Sequence, residues 1–280
     1  MQKDAIHGVW KHHSAQWAQV GSPLRPTEED TRIMLMLSAP AFSINEDISS
    51  VVVLGVTPEV VQLPWPLHTH VVAYDHSADM IASVWQPHFQ NPSSVQQVRW
   101  QSMPLSDESV DLVIGDGCLS VLPCADDYRG VFAEVARVLK PPGRLVLRCF
   151  LRPEQSESIA DVVTAVFSGK IGSFHTLKWR VAMAIKPDLE FSVAVADIHA
   201  AFESHFPDRQ QLAFSTGWSR EAINTIDAYK GTDVRYTFPT MSELKPLLLP
   251  FFDIVEVRHG SYELAERCHI LSLKPRLHIP

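Results

Sequence analysis

The chain has 280 residues, 46% apolar and 20% charged, with a formal net charge of −8. That is enough apolar material for a full core, which excludes the disordered and fibrous classes. The acidic balance disfavours a phosphate-backbone partner, so no nucleic-acid substrate is expected.

The opening MQKDAIHGVW lacks the apolar centre of a signal peptide. No run approaches the roughly eighteen apolar residues of a membrane span. A cytoplasmic chain without a membrane partner is the expectation. Cys118, Cys124, Cys149 and Cys268 form no CxxC pair, which argues against a zinc site or a disulfide framework and suits a reducing compartment. His12-His13 and His68-x-His70 are the only close histidine groups. Both lack a third ligand, so no metal is expected.

Residues 4–20 read as an amphipathic helix, with Ile6, Val9, Trp10, His13 and Trp17 near one face. Gly21, Pro23 and Pro26 break it. Thr27 followed by Glu28, Glu29 and Asp30 marks the start of a second helix, which should end before Pro40. The rhythm then changes to short continuous apolar runs at 51–54, 71–74, 112–114 and 145–147, as in strands buried on both faces. Between the last two, Val131, Phe132, Val135, Val138 and Leu139 form the stripe of a helix over 126–140. Lys140-Pro141-Pro142-Gly143 should stop that helix and turn the chain, with the lysine at the helix C-terminus. This alternation predicts a parallel sheet with helices on both faces.

Residues 155–235 break the alternation, with helical stretches near 157–168, 174–186, 192–205 and 219–229. They read as an inserted helical cap within one domain. Thr240-x-x-Glu243 is a capping box, ahead of a helix that Pro246 shortens or kinks. Strands are predicted over 251–257 and 268–273.

In a doubly wound sheet, ligands bind beyond the carboxyl ends of the strands. Gly55 follows the first strand and permits a tight turn and close approach to a ligand. Asp75 ends the second and can accept bonds from ribose hydroxyls; alternatively it caps the helix that begins near Ser77. Trp10, Trp17, Trp179, Trp218 and Tyr229 lie in the N-terminal helix and the cap, where aromatic side chains suit an apolar pocket or a packed core. Lys178, Arg180 and Lys186 read as a solvated helix face, or as a patch that attracts an acidic substrate.

Trp100-Gln101-Ser102-Met103-Pro104-Leu105 before Val110-Asp111-Leu112-Val113-Ile114, and the later block Glu134-Val135-Ala136-Arg137-Val138-Leu139-Lys140-Pro141-Pro142-Gly143-Arg144-Leu145-Val146-Leu147, resemble the corresponding blocks of class I S-adenosylmethionine-dependent methyltransferases. The resemblance covers roughly residues 50–152. It implies a Rossmann-like, doubly wound α/β fold with seven strands, the last antiparallel. N-terminal helices (1–45), a cofactor-binding core (50–152), a cap insertion (155–235) and a final helix and strands (236–280) make up one domain.

The resemblance also implies S-adenosylmethionine as cofactor and a small-molecule acceptor. It sets Gly55, Val56 and Thr57 at the methionine part. Asp75 falls at the ribose, with His76 and Met80 beside the ribose and adenine. Trp100 and Gln101 fall near the adenine, and Asp116, Gly117 and Cys118 at the sulfonium. Asp116 is the candidate base by position, or else a structural acid; Trp10, Trp17 and Trp179 are candidate substrate contacts. The family's acid-x-Gly-x-Gly-x-Gly motif is altered, with Val53 at the acid and Thr57 and Glu59 at the second and third glycines. Arg99 stands where an acidic residue often precedes the adenine-flanking position. The altered loop makes a non-catalytic binding protein on the same fold the alternative. An absent GxGxxG disfavours a nicotinamide-dependent oxidoreductase, and the lack of an appended RNA-binding module disfavours an RNA methyltransferase.

Overall fold

The computed structural model describes residues 19–42, 49–187 and 190–276. The expected helix over 4–20, with Trp10 and Trp17, lies outside the described residues except at its end.

Thr27 caps α1 (Glu28–Ser38): its side chain takes the Asp30 amide while Asp30 reaches back to the Thr27 amide. The predicted strands follow as β1 (Ser49–Leu54), β2 (Thr69–Asp75), β4 (Val110–Asp116) and β5 (Leu139–Phe150). A further strand, β3 (Ser93–Gln97), has no apolar run because it pairs only with β2, at the sheet edge. Helices α2 (Pro58–Val61), α3 (Ala78–Val84) and α4 (Ala125–Val138) fill the crossovers.

One expectation at the end of α4 is corrected. Lys140-Pro141-Pro142-Gly143 is not a turn after the helix, because β5 begins at Leu139, directly after Val138. Val110 pairs with Leu139 and Leu112 with Arg144, so the four residues bulge out of the strand. Lys140 does not serve the helix carbonyls; its Nζ donates to Asp111 Oδ1 at 2.6 Å. Asp111 Oδ2 meanwhile takes the Ser50 amide at 2.7 Å. A partly buried ion pair outcompetes an exposed helix terminus.

The cap comprises α5 (Ile159–Phe167), α6 (Phe174–Ala184), β6 (Ser192–Ala194), α7 (Val195–His205), α8 (Arg209–Thr216), α9 (Arg220–Asn224) and a 3-10 turn over Thr225–Tyr229. It is not wholly helical: β6 pairs antiparallel with β7 (Arg235–Thr237). Strands this short carry no alternation to read. Thr240 then caps α10 (Met241–Leu248) through the expected box with Glu243. β8 (Phe252–Arg258) and β9 (Cys268–Pro275) close the main sheet.

The sheet order is β3-β2-β1-β4-β5-β9-β8, with β9 antiparallel to both neighbours and the β1 to β5 pairings parallel. Alternate residues of each strand serve opposite faces. Val51 and Val53 pack with Met34, Val60 and Val84 under α1, α2 and α3. Val52 and Leu54 pack with Phe132, Val135 and Leu244 under α4 and α10. The cap has its own core, which Phe150 and Cys268 join from the sheet. Truncating any of these buried side chains to alanine costs about 2–5 kcal/mol. Among the described residues no helix is long and apolar enough to cross a membrane.

Candidate active site

Strand order decides what meets at the carboxyl edge. β1 and β4 are central, so the segments leaving β2, β1, β4 and β5 lie side by side. A pocket of about 920 Å³, its mouth included, opens there. Gly55, Val56, Thr57, Asp75, His76, Met80, Trp100, Asp116, Gly117, Cys118 and Trp179 line it together. Gln101 does not. Its amide donates to Asp127 Oδ1 at 3.3 Å, and it lines an adjoining depression with Arg99, Trp100 and Asp233. Trp218 also lies elsewhere, donating to Gly172 O at 3.0 Å and packing on Phe174.

The altered glycine loop has ordinary backbone angles. Only Gly55 sits in the left-handed region, at φ +99°, where a Cβ would lie 3.9 Å from Asp75 Oδ2. Thr57 adopts φ −57° and ψ 112°, and Glu59 is inside α2 behind Pro58. Neither position requires glycine. Glu59 does not present a bare charge to the pocket: Arg25 holds Glu59 Oε1 through both Nε, at 2.7 Å, and Nη2.

Asp75 closes the other side of that cradle. Its Oδ1 accepts the Ser77 amide at 2.8 Å, but the cap of α3 is Ser77 itself, whose Oγ accepts the Met80 amide. Asp75 is therefore not the helix cap. Burial lifts its pKa to about 6, against the pull of the Ser77 and His76 amides. A desolvated carboxylate short of donors fits a ligand that brings hydroxyls. Trp100 beside it is fixed by an indole bond to Tyr74 O at 2.6 Å.

At β4 the chain turns through Gly117, φ +61°, where a Cβ would strike Phe150 Cε2 at 2.7 Å. The Asp116 side chain is only 4% exposed, and its Oδ1 receives Arg148 Nη1 at 2.6 Å. Arg148 is fully buried. It also bonds Pro23 O and Tyr262 Oη and lies 3.5 Å from Asp30 Oδ2, while Tyr262 donates to Asp30 Oδ1 at 3.0 Å. Burial holds the Asp116 carboxyl above the usual range, opposed by Arg148. The sequence reading missed this network. An arginine between Leu147 and Cys149, inside an apolar strand, was its signal: such a residue demands buried acids.

The pocket's far wall is aromatic. Phe150, Trp179, Tyr229 and Tyr236 meet edge to face at centroid distances of 5.2 to 5.9 Å. Phe150 and Tyr236 were also missed: Phe150 ends a strand that reads as core, and Tyr236 sits in a strand too short to read. The cap's basic cluster is not a solvated face: Lys178 and Lys186 are buried, and Arg180 pairs with Glu157. The apolar core of the cap draws α6 inward on nearly all sides.

Residues 54–147 match the methyltransferase-domain family. No curated protein matches the chain. Among solved structures, a chain described as a zinc-dependent alcohol dehydrogenase from Rhodobacter sphaeroides is 11% identical, with a TM-score of 0.58 over 97% of this chain and 99% of that one. The CcbJ methyltransferase from Streptomyces caelestis is 12% identical, TM-score 0.54, over 96% and 98%. DhpI, solved as its SAH complex, is 12% identical, TM-score 0.51, over 98% and 97%. Identities this low speak for the fold alone. The family match falls on the strands and turns that build the pocket, from Leu54 at the end of β1 to Leu147 within β5. On that match, residues 54–147 form a methyltransferase domain, and the strand order around them is that of a Rossmann-like methyltransferase fold.

Proposed function

We propose that this chain methylates a small molecule held between the sheet edge and the cap. One observation carries the reading: a single pocket joins Asp75 and Gly55 at one end to the aromatic wall of the cap at the other. Gly55 and its neighbours would hold the methionine part of S-adenosylmethionine, and Asp75 the ribose. Met80 and Trp100 would flank the adenine, and Gly117 and Cys118 the sulfonium. When bound, the cofactor supplies a methyl group already activated on sulfur.

The protein's task is then alignment and exclusion of water. Phe150 and Trp179 shape an apolar chamber for the acceptor, and Gly117 keeps the floor open. Asp116, tied to Arg148, braces the end of β4 under the chamber. An Asp116→Asn variant separates this bracing role from that of a base, since the amide keeps the shape but takes up no proton.

Calorimetry with S-adenosylmethionine and S-adenosylhomocysteine, followed by a methyl-transfer screen over small acceptors, tests the proposal. Saturable binding of both cofactor forms is the expected result. No binding of either at millimolar concentration would return the chain to the non-catalytic alternative.

A further inference from the structure

The proposed reading leaves one buried charge without a task. Lys178 on α6 is 2% exposed. Its Nζ lies 3.4 Å from Thr225 Oγ1, whose hydroxyl donates its own hydrogen bond to Ala222 O. The ammonium sits 5.0 Å from the centre of the Tyr229 ring and 6.0 Å from that of Phe174. No carboxylate among the described residues pairs with it, and burial alone pulls its pKa down to about 7. The nearby acids of the cap are already engaged: Glu157 holds Arg180 and Arg267, and Asp227 holds Arg209. The titratable groups set against Lys178 are His175 on its own helix and Tyr229 from the 225–229 turn. Burial, then the Lys178 charge, pulls His175 to about 4, so it is neutral near pH 7. The Tyr229 hydroxyl is engaged with Tyr236, and burial keeps it protonated.

Tyr229 is part of the pocket wall, and Lys178, which does not itself line the pocket, sits against that ring. The acids of the pocket are committed elsewhere. Asp116 faces Arg148, and Asp75 lies on β2, three strands away from Phe150 on β5. The acceptor end therefore combines an apolar wall, an Asp116 carboxylate already held by Arg148, and a buried lysine that no acid among the described residues offsets and whose ammonium form a bound anion would favour. A positive charge in a medium of low dielectric favours a nearby anion and disfavours a cation.

We propose that the pocket takes an acceptor whose reacting group is an oxyanion on a flat, apolar body, of the phenolate or enolate class, with Lys178, seated against the Tyr229 ring, as the positioning residue that favours the anion. This rests on the methyl-transfer reading and specifies its substrate class. The acceptor's O–H bond breaks on binding, its electron pair stays on oxygen and its proton leaves to solvent, so no base is required at the transfer itself.

The probe is para-nitrophenol, whose ionised form absorbs visibly. Its titration when bound to the full chain is followed with and without S-adenosylhomocysteine, in the wild type and in Lys178→Met. In the wild type the bound probe should ionise about one pH unit below its value in water, a tenfold preference for the anion. In the variant that shift should disappear. Methionine matches the lysine stem in size and removes a buried charge, so the melting temperature should hold or rise; Lys178→Gln is the second variant should methionine misfold. Equal titrations in both proteins would overturn the proposal. So would binding of the probe only as the neutral phenol, or no binding of the probe to a protein that binds S-adenosylhomocysteine. Failure to bind S-adenosylhomocysteine counts against the cofactor reading instead, and the titration without it still reads Lys178.

Discussion

Replacing Arg148 with methionine tests the buried network beneath the pocket. Arg148 is fully buried and serves Asp116, Asp30, Pro23 and Tyr262 at once. Methionine would strand two carboxylates in apolar surroundings, and breaking a buried ion pair from one side costs about 3–5 kcal/mol. That is a large part of the ~5–15 kcal/mol that holds a typical domain together. Urea unfolding of wild type and R148M, at mildly acidic and mildly alkaline pH, measures it. Burial already holds the Asp116 pKa above its unfolded value, and loss of the Arg148 counter-charge raises it further. A carboxyl raised in this way contributes stability below its unfolded pKa and loses it as pH rises through the folded pKa. The deficit of R148M should therefore be largest at alkaline pH and shrink on acidification, and adding D116N should recover part of it. A deficit below about 1 kcal/mol, or one indifferent to pH, would refute the assignment.

Further outcomes follow from the same geometry. Asp75→Asn should lose about tenfold to a hundredfold in S-adenosylhomocysteine affinity by calorimetry, the worth of a charged hydrogen bond. Because burial holds Asp75 near pKa 6, wild-type affinity should fall as pH drops below about 6, and the variant should lack that step. Gly55→Ala places a side chain at φ +99° and should cost about 1–2 kcal/mol in thermal or urea unfolding. Thr240→Ala removes one capping-box partner of α10 and should cost about 1 kcal/mol, with cofactor affinity unchanged.

The core strands were legible because burial on both faces demands unbroken apolar runs, as at Val51–Leu54 and Leu145–Leu147. Thr27 and Thr240 announced their helices because a cap is a local event, decided within three residues. What escaped depended on distant partners. β3 reads as polar because it lies at the edge, and the bulge at Lys140 exists because Asp111 draws the lysine to the neighbouring strand. Within the pocket, Gly55 and Asp75 could be named from their places at strand ends, and Asp116 from the family resemblance. Arg148 carried a signal in its apolar strand but not the identity of its partners, and Lys178 could not be placed, since a charged residue on a helix looks solvated until its surroundings are known. The doubt over Thr57 and Glu59 rested on composition. The backbone angles there suit both residues, and Arg25 pairs with Glu59.

The Arg148 hub also bears on how the molecule is made. Its partners Pro23, Asp30, Asp116 and Tyr262 come from opposite ends of the chain and from between them. The floor of the crevice therefore cannot be completed until the C-terminal hairpin has docked against the leading helix. Contacts of such long sequence separation are made late and slowly. A nascent chain would hold its Rossmann-like half well before it held a competent crevice, and clipping either terminus would blunt the middle of the molecule first.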